Sequence, residues 1–78
     1  MILNAIAYPL SVSLGRIRFR SNLNGRIFSL VMDEDLYELV ELESNDAHAL
    51  PLQHLYRGRD GFQVMNVIWK EVNDVQRT

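Results

Sequence analysis

Seventy-eight residues hold one domain, and a chain this short buries only about 60% of its unfolded surface, so its core is thin. The absence of cysteine excludes disulfides, thiolate metal sites and thiol catalysis together. A net charge of -2, with ordinary apolar and charged fractions, argues against disorder and against a uniformly basic nucleic-acid binder. That charge is unevenly spread: Arg16, Arg18, Arg20 and Arg26 crowd together, and Asp33, Glu34, Asp35, Glu38, Glu41, Glu43 and Asp46 follow.

Residues 1–15 carry no charged side chain. They lack the basic n-region of a signal peptide and are too short to cross a bilayer as a helix. The expectation is a buried first strand over 2–8, broken by Pro9, in a cytoplasmic protein with no membrane segment.

From Val12 to Ser21 the pattern alternates. Ile17 and Phe19 point one way and the arginines the other, which predicts a strand over 12–21. Asn24-Gly25 is the strongest turn signal in the chain. Taken as a two-residue turn, it sets Leu23 opposite Arg26, Phe19 opposite Leu30, Ile17 opposite Met32 and Ser21 opposite Phe28. On the other face Arg20 then meets Ser29, Arg18 meets Val31 and Arg16 meets Asp33. A third strand over 26–32 follows. A one-residue slip would mix the apolar and charged faces.

D-E-D-L-Y-E-L-V-E-L-E reads as a helix over 33–43. Asp33 is its N-cap, acids fill its first turn, and Leu36, Leu39 and Val40 form a stripe. In the last third, Leu52, Leu55, Phe62, Met65, Trp69 and Val72 fall three, four or seven apart, with Pro51 near the start. This favours a helix over 51–75. Gly58 and Gly61 oppose it, and the rival is a second hairpin with 58–61 as its loop and 62–69 as a strand.

The stretches R-I-R-F (Arg16 to Phe19), I-F-S-L-V-M-D-E-D-L-Y-E-L (Ile27 to Leu39) and L-Q-H-L-Y-R-G-R-D-G-F (Leu52 to Phe62) together resemble the family catalogued as domain of unknown function 1488. These are short bacterial proteins. The resemblance implies a strand running into an acidic-started helix, and a helix at the end of the chain. It implies no activity and carries over no catalytic or binding residue.

The residues themselves point to no catalytic centre. No serine sits in a G-x-S-x-G setting, and no Gly-rich loop precedes a helix to cradle phosphate. Asp46, His48 and His54 lack the ligand number and spacing of a metal site. The expectation is therefore a protein that is not an enzyme, with no cofactor and no metal.

The arginine row is read first as the wet face of a sheet. As a functional surface it would suit an acidic protein or a phosphate backbone, although no aromatic side chain interleaves with it to stack bases. The acidic run is read as a solvated helix face that could dock on a basic partner. Trp69 could fill the core or complete a homodimer.

The expected fold is α+β: a small antiparallel three-stranded sheet in the order β-β-β-α-α, with both helices on one face. Its core would hold Ile17, Phe19, Phe28, Leu30, Met32, Leu36, Leu39, Val40, Leu55, Phe62, Met65 and Trp69. The expected function is non-catalytic binding or regulation through a protein partner, using Arg16, Arg18, Arg20, Arg26, Glu34, Glu38 and Glu41. Two alternatives remain: nucleic-acid binding by the Arg16–Arg26 hairpin face, and inhibition by a phage or mobile-element protein through the acidic helix 33–46.

Overall fold

The computed structural model describes residues 7–75. Five antiparallel strands form one sheet in sequence order: β1 (Ala7–Ser13), β2 (Arg16–Ser21), β3 (Ile27–Asp33), β4 (Leu36–Leu42) and β5 (Pro51–Gly58). A single helix, α1 (Gly61–Val72), follows. The architecture is thus mostly β with one C-terminal helix, and the expected three strands with two helices are overturned.

Each departure has a local cause. Most of the expected 2–8 strand lies outside the described residues, but β1 runs straight through Pro9. Proline is tolerated there because β1 is an edge strand, and a bulge at Leu10 adjoins it. The expected 12–21 strand is cut by a tight turn at Leu14-Gly15. Gly15 has φ +73, and its carbonyl accepts from Met32 N at 2.7 Å.

The β2–β3 register differs by two residues from the expected one. Phe19 pairs with Phe28, Ile17 with Leu30, Arg18 with Ser29 and Arg20 with Ile27. A shift of two preserves every residue's face, so the separation of arginines from apolar side chains holds. The turn is longer than expected. Ser21 N donates to Arg26 O at 2.9 Å, and only Gly25 of the Asn24-Gly25 pair has positive φ.

The expected acidic helix over 33–43 is a tight turn followed by strand β4. Asp33 pairs with Leu36 across Glu34-Asp35, and Glu34 takes φ +56. A strand covered on both faces shows a near-continuous apolar run. In β4, Leu39 faces α1 while Val40 and Leu42 are buried on the other face. That doubled burial imitates helical spacing.

The expected long helix over 51–75 is β5 plus α1, and the rival hairpin with a strand over 62–69 is also wrong. Two bulges in β5 carry the physical reason. Leu39 pairs with Tyr56 and Val40 with His54, leaving Leu55 extra; Glu41 pairs with Gln53 and Leu42 with Pro51, leaving Leu52 extra. The extra residues are three apart, which in sequence reads as a helix turn. Asp60 then caps α1, its Oδ1 accepting from Phe62 N at 3.0 Å and Gln63 N at 3.1 Å.

The main core lies between the sheet and α1: Ala7, Phe19, Phe28, Leu30 and Leu39 meet Val64, Ile68 and Val72. Phe19 and Phe28 stack across strands with centroids 5.4 Å apart. Three expected core residues of the helix are instead on the surface: Phe62 is 88% exposed, Met65 41% and Trp69 49%. Met32 is also exposed, while Ile17, Leu36 and Leu55 are half-buried.

The apolar arc of α1 spans two adjacent stripes, and its β-branched half lies on the sheet. A smaller cluster occupies the opposite, open face, where Ile27, Val40 and Leu42 are covered by Leu10 and by Ala49 of the 43–50 loop.

Candidate functional site: the open sheet face and the buried Arg26 cluster

On the open face, residues line up in cross-strand rows. One row runs Ser13, Arg16, Val31, Glu38 and Arg57; the next runs Ser11, Arg18, Ser29, Val40 and His54. Arg16 is exposed. Arg57 Nε lies 3.9 Å from Glu38 Oε2, and at the turn end of the sheet Arg59 Nε lies 3.4 Å from Asp35 Oδ1. The uncovered part of the face therefore alternates in sign.

Arg18 is engaged within the fold. Its Nη1 donates to the carbonyls of Asn45 at 3.1 Å and Asp46 at 2.9 Å, pinning the 43–50 loop over the small apolar cluster. Arg20 shares this face at the Ile27 end.

Glu41, expected on the surface, is buried, and Arg26, also expected there, is half-buried with most of its side chain covered; their side chains are 7% and 9% exposed. Arg26 Nε and Nη2 grip Glu41 in a bidentate pair at 3.0 and 2.7 Å, and Nη2 also donates to Glu71 Oε1 at 2.7 Å. Nη1 reaches the Glu71 carbonyl at 3.2 Å. The guanidinium lies over the Phe28 ring, 5.2 Å from its centroid. Gln53 Nε2 donates to Glu41 Oε1 at 2.9 Å.

The pKa of Arg26 is raised above the ordinary arginine value. The hydrogen bond to Glu41 is the largest cause, burial opposes it, and Glu71 adds to it.

The same loop closes the C-terminal end of α1. Ser21 Oγ donates to Val72 O at 2.6 Å, and Asn24 Nδ2 donates to the carbonyls of Glu71 and Asp74, both at 2.9 Å. These bonds satisfy carbonyls that a helix end leaves unpaired, and the arginine complements the negative end of the helix dipole. They also explain the longer turn, because Asn24 is held to α1. Arg26 and Glu41 thus join sheet to helix, a role that charge in the sequence alone did not separate from surface binding.

Glu34 stands exposed at the β3–β4 turn. Glu43 and Asp46 are exposed at the 43–50 loop, Glu38 is on the open face and Glu41 is buried. With no helix over 33–43, these carboxylates are spread over a turn, a strand and a loop and are not gathered on one helix face. His48 and His54 are exposed. Among the described residues, no group of three or more His, Cys, Asp or Glu is placed to hold a metal, and no helix is long and apolar enough to cross a membrane. Among these same residues no buried side-chain nitrogen or oxygen lacks a hydrogen-bond partner.

A feature the sequence did not flag lies on the helix side. A groove of about 330 Å³, lined by Val12, Arg16, Ile17, Leu30, Met32, Tyr37 and Met65 among others, runs between β1–β4 and the N-terminal half of α1. No protein-family model, curated protein or solved structure matches the chain.

Proposed function

We propose that this chain is a small non-catalytic binding module that recognises another protein through its open sheet face. The observation that carries the reading is the alternation of sign around the row of Arg16, Glu38 and Arg57. A phosphate backbone calls for uniform positive charge, whereas a protein surface of mixed charge is complementary to an alternating one. The engagement of Arg18 with loop carbonyls further reduces the basic face open to a nucleic acid. A cytoplasmic setting fits a fold that uses no disulfide. Membership of the domain of unknown function 1488 family belongs to the same proposal and adds no activity to it.

The test is a tagged pull-down from lysate with and without nuclease, comparing the native chain with the double variant Arg16→Glu, Arg57→Glu. One stoichiometric protein that survives nuclease and is lost with the variant supports the reading. Recovery that disappears with nuclease refutes it in favour of nucleic acid.

A further inference from the structure

One helix about 10 Å wide cannot cover five strands spaced about 4.8 Å apart. α1 crosses the sheet from Tyr37, beside Gly61, to Ser21, beside Val72. That path leaves uncovered the corner where Val12, Ile17, Leu30 and Met32 line the groove. On the helix, Met65 forms the groove's other wall. Phe62 and Trp69, three residues before and four after it, stand on the same helix face.

Val12 is 69% exposed, and Leu14 projects fully from the adjoining turn. With Met32, Phe62, Met65 and Trp69, these side chains leave several hundred Å² of apolar surface in water, of which Phe62 and Trp69 supply roughly 270 Å², taking a whole aromatic side chain at about 200 Å². A soluble monomer's largest apolar patch is usually about 300–600 Å². A stable interface takes about 800 Å² from each partner.

We infer that a second copy of this chain covers this flank, with Phe62 of each copy entering the groove of the other across a two-fold axis. The surface is self-complementary, as an isologous interface requires: it carries both an apolar groove and an amphipathic helix whose unpartnered side chains recur at three- and four-residue spacing. Asn66 flanks the stripe on α1, so two antiparallel copies of the helix meet without like charges at their contact. Their opposed dipoles also attract. The interface lies on the helix side of the sheet; Arg16 also lines the groove, whereas Glu38 and Arg57 of the charged face do not, and self-association is measured separately from capture of a partner protein.

The experiment is sedimentation equilibrium of the full chain from about 1 to 200 μM, the range in which an interface of this size associates. Emission of Trp69, the chain's one tryptophan, is followed in parallel. The expected result is twice the 9.1 kDa chain mass, with Trp69 emission shifting to the blue as concentration rises. Phe62→Asp should weaken association by about 30-fold or more and leave the far-UV circular dichroism unchanged, because Phe62 is exposed in the single chain. A native chain that stays at 9.1 kDa throughout, with constant Trp69 emission, overturns the inference and leaves the flank to a different occupant. So does a Phe62→Asp chain that associates as tightly as the native one.

Discussion

Replacing Arg26 with methionine keeps the length and apolar stem of the side chain and removes its charge. Glu41 then stays buried without its arginine, keeping the hydrogen bond from Gln53, and the Glu71 carbonyl loses one of its partners. Removing one partner of a buried ion pair costs about 3–5 kcal/mol. A domain of 78 residues has a total stability of roughly 4–12 kcal/mol, so this single change should remove a quarter of it or more.

Urea unfolding followed by circular dichroism measures the loss. With a slope of about 1 kcal/mol/M, the midpoint should fall by about 3 M or more. The double variant Arg26→Met, Glu41→Met should recover much of it, because no charge is left unpaired. The raised pKa of Arg26 means that its contribution is fully present below the ordinary arginine value and is lost only as pH rises through the higher folded one. The guanidinium's own contribution is therefore constant from about pH 6 to pH 9. A loss below about 1 kcal/mol for Arg26→Met would refute the argument, since that is what an exposed pair is worth.

Two further variants test the turns. Gly15→Ala should destabilise by about 1–3 kcal/mol, because Gly15 has φ +73 and an added Cβ would lie 2.9 Å from the Met32 carbonyl; the same urea titration measures it. Glu34→Gly should stabilise by about 0.5–1 kcal/mol in thermal unfolding, because Glu34 holds φ +56 at a cost glycine does not bear, less glycine's greater entropy when unfolded.

Period-two alternation made β2 and β3 legible, and with them the arginine face, because each has one apolar face and one wet face. The Phe19–Phe28 pairing was missed by two residues, since Ser21 and Asn24 are held by carbonyls about fifty positions away. β4 was misread because it is buried on both faces and places the carboxyl group of Glu41 on its inner one. β5 was misread because its bulges at Leu52 and Leu55 imitate a helix turn.

The chain by itself determined that these residues form no disulfide among themselves and that a charged sheet face is backed by an apolar one. Those properties follow from composition and local periodicity, and both survive a two-residue slip. Tertiary structure alone decided that Arg26 is a buried hub beneath a helix end. It also decided that α1 lays Val64, Ile68 and Val72 on the sheet and leaves Phe62, Met65 and Trp69 in water. An apolar arc of α1 wide enough for two stripes does not say which of them meets the sheet; the line on which a single helix crosses five strands decides that.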